Sequence, residues 1–249
     1  MTNLETIESN RLLAAIAPGD MKRIAAGCEL VPMTIGQSIY ESGKEFNYVY
    51  FPTSSVISML QTTSEGDSTE IAVVGAEGLA GVTTYLGGSI TLGRAIVQAA
   101  GNAIRMSCSL LQKEFDRGGS VQGLLLRFAQ ALLTQMAQTA VCNRHHVVDE
   151  RLCRWLLLMA DRLPSDQLWM TQQLIADMLG VRREGVTAAA GKLQRSGWIR
   201  YRRGSITIVD RKGLETGSCE CYATVRREYV RLLGARSAAP GSARSTGAS

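Results

Sequence analysis

The residues with the clearest chemical potential are basic and lie close together in the C-terminal third of the chain. Between Arg182 and Lys212 there are nine lysine and arginine residues but only two acidic ones, Glu184 and Asp210. Clustered positive charge is the electrostatic footprint of a polyanion partner, with nucleic acid first and an anionic membrane surface second. A solvated basic face that binds nothing would look the same, so charge alone leaves these interpretations open.

The charge is distributed unevenly along the 249 residues, whose formal net charge is +5. Residues 1–120 carry 8 basic and 12 acidic side chains, whereas residues 121–249 carry 19 and 10. An apolar content of 45% is enough for one or two ordinary cores. The sequence contains no uninterrupted run of about 18 apolar residues, so no membrane-spanning helix is predicted. The polar, acidic N-terminus has no basic region of a secretory signal, so we expect a cytoplasmic protein.

The elements that must position the basic residues follow the pattern helix, turn, helix. Thr171 can cap a helix over 172–179, and Gly180 can adopt the left-handed conformation that a tight turn requires. A second helix is predicted over 182–196, with its N-terminal residues exposed. This is the spacing of a helix-turn-helix, in which the start of the second helix faces base edges in the major groove.

A predicted hairpin follows the second helix. Residues 197–201 and 205–209 alternate like two strands, and Arg202-Arg203-Gly204 forms the turn between them. A basic hairpin turn is what a wing needs in order to reach a phosphate backbone. The alternative is a helical domain with a purely structural role that contacts no nucleic acid. A further helix is predicted over 223–233.

The preceding part of the chain predicts a different architecture. Short β-rich runs separated by turn residues extend over 28–110, after a helical lead-in, and favour a small β-barrel or sandwich. A long apolar helix follows from Val121 to about Ala140, and a shorter one is predicted over 148–162. We expect the long helix to pair with its copy in a second subunit; packing on its own barrel is the alternative. The predicted dimer-interface residues are Leu124, Leu125, Phe128, Leu132 and Met136.

The predicted fold class is therefore α+β, with four segments. Residues 1–118 form a sensory β-barrel domain with its helical lead-in, and 119–147 form a dimerisation helix and hinge. Residues 148–234 form a winged helix-turn-helix domain with a C-terminal helix. The tail over 235–249 is rich in Ala, Gly and Ser and is predicted to be disordered.

The order of these elements, together with residues 171–186 (TQQLIADMLGVRREGV), resembles the Crp/Fnr family of transcription regulators. The resemblance implies a cyclic-nucleotide-binding-like barrel, a dimerisation helix and a winged helix-turn-helix that binds a near-palindromic operator. The family's Arg-Glu pair at the start of the recognition helix falls on Arg183-Glu184. A further family arginine, one turn later, falls on Ala188, so the operator sequence does not carry over.

The resemblance and the side-chain chemistry together give each polar residue an expected role. Arg183 can donate two parallel hydrogen bonds to guanine, and Glu184 can accept one from a cytosine amino group. Other basic and hydroxyl side chains are expected to hold phosphates and set the register. The predicted DNA-binding residues are Thr171, Gln172, Arg182, Arg183, Glu184, Thr187, Lys192, Arg202 and Arg203.

The expected effector site matches the family only in part. Cyclic-nucleotide barrels that resemble this one use a Gly-Glu step followed by an Arg with a small neighbour. Here Gly81 and Arg94-Ala95 fit this pattern, but Val82 replaces the glutamate that would hold the ribose. Aligning Glu77 instead requires a longer insertion. Gly81, Arg94 and Ala95 are the candidate effector residues, no cofactor is predicted, and an ordinary packing role remains an equal alternative.

The cysteines predict no metal site. Cys219 and Cys221 are the only close pair; their spacing matches no common zinc motif, and only His145-His146 could assist from a distant segment. An N-terminal cysteine cluster of the iron–sulfur type is absent, since Cys28 stands alone there. These thiols are predicted to pack the C-terminal extension.

The sequence therefore predicts a DNA-binding transcription regulator that acts as a homodimer, with RNA polymerase as a further partner if it activates. No P-loop, dinucleotide fingerprint or nucleophile motif is present, so no enzyme activity is expected. The alternative is a cyclic-nucleotide-binding regulatory module that acts through protein contacts.

Overall fold

The computed structural model describes residues 3–88, 90–163, 165 and 167–234. The tail predicted to be disordered, residues 235–249, lies outside the described residues. None of the helices in the described part of the chain has both the length and the apolar character that crossing a membrane requires.

The N-terminal part contains two antiparallel sheets. In spatial order, the first sheet consists of β1 (Glu29–Met33), β7 (Gly101–Ser107) and β3 (Tyr48–Pro52). The second consists of β2 (Ser38–Tyr40), β6 (Arg94–Ala99), β4 (Val56–Thr62) and β5 (Ser68–Val74). The predicted β-rich architecture is confirmed, but the two sheets do not close into a barrel.

The two sheets enclose a small core of their own. Its buried members come from both sheets, because alternate residues of a strand point to the same face. They are Met33, Tyr40, Ile57, Ala80, Ala95, Val97 and Ala103. The side chain of Tyr40 stacks on Phe46, with ring centroids 5.1 Å apart. The interior of this strand domain is therefore filled by its own side chains.

Short helices precede the strand domain, and a longer one follows it. These are α1 (Leu4–Ile7), α2 (Arg11–Ala14), α3 (Pro18–Ala25) and α4 (Cys108–Asp116). Buried Asn10 caps α2 by accepting from the backbone amides of Leu12 and Leu13, and its side-chain amide donates to Pro52 and Gly78. One asparagine thus fixes the lead-in to the strand domain.

The long helix α5 extends over Gly119–His145, 27 residues. One of its faces packs on the strand domain: the ring of Phe128 occupies the space beside Gly78, and the Gln135 side-chain amide donates to the Val73 carbonyl at 3.1 Å. Leu124, Leu125 and Leu132 are buried on the same face.

The predicted dimer interface therefore needs correction. Leu124, Leu125, Phe128 and Leu132 are buried within their own chain, and Met136 is partly buried against the same core. They are inaccessible to a second subunit because the strand domain, α4 and α10 of the same chain pack on α5. The alternative packing on the chain's own β domain is the one that the structure has.

The C-terminal domain consists of helices around a three-stranded sheet. Its helices are α6 (Val148–Ala160), α7 (Gln172–Leu179), α8 (Arg183–Arg195), α9 (Arg211–Gly217) and α10 (Glu220–Leu233). Its sheet has the order β8 (Gln167–Trp169), β10 (Ser205–Ile208) and β9 (Ile199–Arg202). The sequence predicted the hairpin β9–β10; the three-residue β8 is too short to give an alternating pattern.

Buried polar contacts join the two domains. The Glu77 carboxylate lies 2.7 Å from Arg162 Nε, and both side chains are buried. The indole nitrogen of Trp155 donates to the Glu70 carboxylate at 2.9 Å. Helix α10 packs along α5, where Arg127 donates to the Leu232 carbonyl. The strand domain therefore supports the C-terminal domain directly.

Candidate nucleic-acid interface

The turn between α7 and α8 has the geometry that the sequence predicted. Thr171 caps α7, its hydroxyl accepting from the Leu174 amide at 3.1 Å. Gly180 ends α7 with φ 60° and ψ 46°, a left-handed conformation that favours glycine. A Cβ at that position would also lie 2.8 Å from the Thr69 hydroxyl. Both backbone conformation and space therefore require glycine here.

The two helices cross closely because small residues face each other. Ala176 of α7 and Ala189 and Ala190 of α8 are buried at the crossing. A hydrogen bond reinforces this arrangement, since the Thr187 hydroxyl donates to Gln172 Oε1 at 2.8 Å. The start of α8 is thereby held at a fixed angle to α7.

The first residues of α8 are exposed. Arg182 stands at the N-cap, Arg183 begins the helix, and Glu184 lies in its first turn, where a carboxylate favours the helix dipole. Thr187 follows one turn later on the same face. This face presents hydrogen-bond donors and acceptors without any covering element from the described residues, as direct readout of base edges requires.

The hairpin turn lies beside the start of α8. Arg203 and Gly204 both have left-handed backbones, with φ of 50° and 78°. Two successive positive φ values suit the tight two-residue hairpin between β9 and β10. A shallow groove separates this turn from α8 and is lined by Thr171, Gln172, Arg183, Tyr201, Arg203 and Gly204.

Tyr201 is the groove residue that the sequence analysis missed. Its hydroxyl donates to the Met170 carbonyl at 3.2 Å, and its backbone amide donates to Gln194 Oε1. Partial burial raises the pKa of its phenol. Its alternation with exposed Arg200 and Arg202 in β9 marks it as the inward residue of the hairpin, which a pattern can show.

The arginines around this groove lack acidic partners. Arg182, Arg183, Arg202 and Arg203 are exposed, and none has an ion pair with a carboxylate in the described part of the chain. Their positive charge is therefore available to a partner. Together with the groove, they form a continuous basic surface made by the recognition helix and the wing.

Lys192 departs from its expected role. Its ammonium lies 2.6 Å from Asp149 Oδ2 at the start of α6, and this hydrogen bond raises its pKa. At about 100° per residue, Lys192 also lies about half a turn away from Arg183 around the helix. It fastens α8 to α6 in this structure and does not belong to the basic surface.

The candidate effector residues do not form an anion site. Gly81 has φ 109° and precedes a short 3-10 helix, in which the Val82 side chain is buried. The Arg94 guanidinium lies 3.7 Å from Glu41, and Ala95 is buried between the sheets.

Glu77, the other possible ribose ligand, is buried against Arg162. The carboxylate and guanidinium that a cyclic nucleotide requires are thus absent or already paired among the described residues.

The geometry of residues 167–208 defines a winged helix-turn-helix. Sequence comparison refines this class, because residues 150–216 match the family of the Crp-like helix-turn-helix domain. The C-terminal part of the chain is therefore a Crp-like helix-turn-helix domain. No curated protein sequence matches the chain significantly.

Solved structures resemble most of the chain, both the strand domain and the C-terminal domain. FixK2 from Bradyrhizobium japonicum superimposes with a TM-score of 0.65 at 18% identity, covering 77% of this chain and 98% of its own. A CRP/FNR-family transcriptional regulator from Thermus thermophilus gives a TM-score of 0.62 at 21% identity, with coverages of 76% and 97%. The c-di-GMP-responsive global regulator CLP from Xanthomonas campestris gives 0.61 at 16%, with coverages of 77% and 99%. The chain has the fold of the Crp/Fnr transcriptional regulators.

Proposed function

We propose that this chain is a sequence-specific DNA-binding transcription regulator of the Crp/Fnr type, which binds a near-palindromic operator as a homodimer. The observation that carries the proposal is the unpaired basic surface formed by Arg182, Arg183, Arg202 and Arg203 on a winged helix-turn-helix. Arg183 and Glu184 would read base edges, and the other three arginines would hold phosphates.

The roles of the remaining predicted contacts follow from their positions. Thr171 and Gln172 line the groove and can reach a phosphate beside Arg203. Thr187 shares its hydroxyl with Gln172 and would contact DNA through its methyl group, which can pack on thymine. Lys192 is left out of the proposed contact set because Asp149 already holds it.

The proposed homodimer uses the face of α5 opposite to the strand domain. Leu126 is 46% exposed and Leu133 is 62% exposed on this face. Exposed positions recur there at alternating spacings of four and three residues, which is the repeat of a coiled-coil seam. They are Leu126, Gln130, Leu133, Ala137, Ala140 and Arg144.

We infer a parallel pair of α5 helices along this seam, because Leu126 and Leu133 recur on it at coiled-coil spacing and are exposed. The two C-terminal domains would then lie on the same side of the dimer, one at the end of each helix. A two-fold axis along α5 would place two recognition helices in successive major grooves, about one helical turn of DNA apart.

We propose no catalytic activity for the chain. We expect it to act in the cytoplasm, where such a regulator binds DNA. RNA polymerase would be a further partner if the protein activates transcription. A regulatory module that binds cyclic nucleotides and acts through protein contacts is a weaker candidate, because Val82, Arg94 and Glu77 do not form a nucleotide site.

Fluorescence anisotropy with a pool of random duplexes tests the polyanion part of the proposal without any knowledge of the operator. We expect non-specific affinity that falls steeply as salt rises, because each neutralised phosphate releases a counterion. The double variant Arg202→Ala/Arg203→Ala should flatten that slope by about two contacts. A salt-independent signal, or none at low salt, would contradict DNA binding.

A further inference from the structure

Three cysteines and one histidine from distant parts of the chain converge at the end of α5. Cys142 lies in the last turn of α5 and His146 directly follows that helix. Cys219 stands at the N-cap position of α10, and Cys221 lies in the first turn of that helix. One ligand atom from each of these four side chains lies within 4.8 Å of every other. We call these four residues the thiol–imidazole cluster.

The separations within this cluster suit a single tetrahedral ion. Cys142 Sγ lies 3.5 Å from Cys219 Sγ, and Cys221 Sγ lies 3.7 Å from His146 Nδ1. Zinc–sulfur and zinc–nitrogen bonds of about 2.3 and 2.0 Å, at tetrahedral angles, give ligand separations of roughly 3.5–3.8 Å. Both distances are close to these edges of a tetrahedron, and the other ligand separations in the cluster do not exceed 4.8 Å.

The histidine is oriented as a metal ligand is. While Nδ1 faces Cys221, Nε2 lies 3.3 Å from the Glu220 carboxylate. A carboxylate behind an imidazole fixes its tautomer and orientation and raises its basicity toward a metal. Glu220 would therefore serve as the outer partner of His146.

Two buried guanidiniums lie near the cluster, and one of them, that of Arg154, also interacts electrostatically with Glu70. Arg151 and Arg154 are buried, and both act electrostatically on Cys142. Arg154 donates to the Thr139 hydroxyl, Arg151 donates to the Asn143 side chain, and the Nε atoms of both arginines lack a hydrogen-bond partner among the described residues. Buried charges need compensation.

A divalent ion with three thiolates and a neutral imidazole would compensate the positive charge of Arg151 and Arg154. Such a centre carries a net charge of −1, opposite to that of the guanidiniums. The bare thiols, when neutral, offer no such charge.

We propose that Cys142, His146, Cys219 and Cys221 bind one thiophilic divalent metal ion, of which Zn²⁺ is the type, in a closed tetrahedral site. All four positions are filled by protein ligands, and the three thiols are buried, as in structural rather than catalytic zinc sites. The ion would tie the end of α5 to the start of α10. An iron–sulfur cluster is less suitable, because its ligand sulfurs bind different iron atoms and need wider separations.

The prediction that these thiols bind no metal rested on sequence spacing alone. Cys142 and His146 are four residues apart, which places them on one side of a helix end. Cys219 and Cys221 come 77 and 79 residues after Cys142, so no local motif joins the two pairs. Only the packing of α10 along α5 brings them together.

Metal binding by the full-length chain, freed of metal by a chelator under reducing conditions, tests the proposal directly. We expect one Zn²⁺ per chain by elemental analysis, in competition with a chromophoric chelator. Co²⁺ should give intense tetrahedral d–d bands and thiolate charge-transfer absorption, because Co²⁺ occupies zinc sites more weakly but visibly.

Matched variants assign the ligands. His146→Ala and Cys142→Ser should each weaken Zn²⁺ binding by more than about 100-fold, since each removes a direct ligand. Glu220→Gln should weaken it by about 10-fold, as loss of an outer-shell partner does. The controls His145→Ala, at the exposed neighbouring histidine, and Cys108→Ser, at the start of α4, should leave binding unchanged.

Two measurements distinguish the loss of a metal ligand from the loss of the fold in a variant. Circular dichroism identifies any variant that has lost its helices, and the Co²⁺ spectrum of the unaltered chain needs no variant at all. The proposal is overturned if the unaltered chain binds no stoichiometric ion. It is also overturned if the His146→Ala variant binds Zn²⁺ as tightly as the His145→Ala variant does. Several iron atoms with acid-labile sulfide would overturn the single-ion site.

Discussion

The charged side chains of the strand domain differ from those of the basic surface on the C-terminal domain. In the strand domain, Arg94 pairs with Glu41, and Glu77 is buried against Arg162. In the C-terminal domain, Arg183 and Arg203 have no acidic partner among the described residues and face a groove. Charge that is paired holds a structure together, whereas exposed unpaired charge is available for binding. The difference separates charges that are paired within the chain from charges that are available to a partner.

The two groups of charged side chains also differ in burial. The Glu77–Arg162 pair joins the domains with both side chains buried, so removing one partner would leave an uncompensated charge at a cost of about 3–5 kcal/mol. The basic surface tolerates its unpaired charges because they are exposed and solvated by water. The following changes test each side of this comparison.

The largest effect is expected from the exposed seam of α5. Leu133→Glu would place a charge in the proposed coiled-coil interface and should weaken dimerisation by at least about 3 kcal/mol, with operator affinity falling in parallel. Sedimentation analysis measures the change. The control Leu92→Glu, at a leucine that is 77% exposed in the strand domain, should leave the oligomeric state unchanged. A dimer that survives Leu133→Glu would exclude this seam.

The next effect concerns Glu70, which the domain junction buries. Desolvation raises its pKa to about 7, although Ser58, Trp155, Arg154 and Arg162 oppose the shift. Because the pKa of Glu70 is higher in the folded state, its protonated form stabilises the fold. This contribution to stability is fully present below the unfolded-state pKa of 4.5 and is lost as pH rises through about 7. The loss is on the order of 3 kcal/mol at most.

Urea unfolding at pH 5, 6, 7 and 8 measures this loss. The free energy of unfolding should fall over that range in the unaltered chain and fall less in Glu70→Gln, which keeps an acceptor for Trp155. Equal pH dependence in both proteins would show that Glu70 is charged throughout.

An intermediate effect is expected at the recognition helix. Arg183→Ala should cost about 1–3 kcal/mol in operator binding and relax the preference at one base pair of each half-site. Lys192→Ala, which removes a surface pair with Asp149, should change operator affinity by less than about 1 kcal/mol. If Lys192→Ala costs more than Arg183→Ala, the orientation of α8 on DNA differs from the one proposed.

The smallest effect is expected in the strand domain. Arg94→Ala removes an exposed pair worth less than about 1 kcal/mol and should not alter DNA affinity. Added cyclic AMP should also leave DNA affinity unchanged, by the same anisotropy measurement. A response to the nucleotide that Arg94→Ala abolishes would make this domain a nucleotide sensor after all.

Local patterns predicted the recognition elements well. The range of α7 and the left-handed Gly180 follow from a cap, a periodic apolar face and a turn residue within ten positions. The strands of the two sheets were also predictable from alternation, apart from β1, which contains Pro32 and pairs only with β7 at the sheet edge.

Long-range packing decided what the sequence could not. Leu125 and Leu126, like Leu132 and Leu133, are adjacent in sequence and equally apolar, yet one of each pair is buried and the other exposed. Periodicity identifies apolar faces but not which face the chain itself covers. The same limit hid the thiol–imidazole cluster, whose halves meet only because α10 returns along α5.

Selection from a pool of random duplexes, followed by sequencing, tests the central claim most directly. The account predicts enrichment of a two-fold symmetric site with half-sites about one helical turn apart, without any added nucleotide, and loss of that enrichment in Arg183→Ala. Absence of an enriched site, both with bound zinc and without it and both with and without cyclic nucleotides, would contradict the assignment of this chain as a sequence-specific regulator.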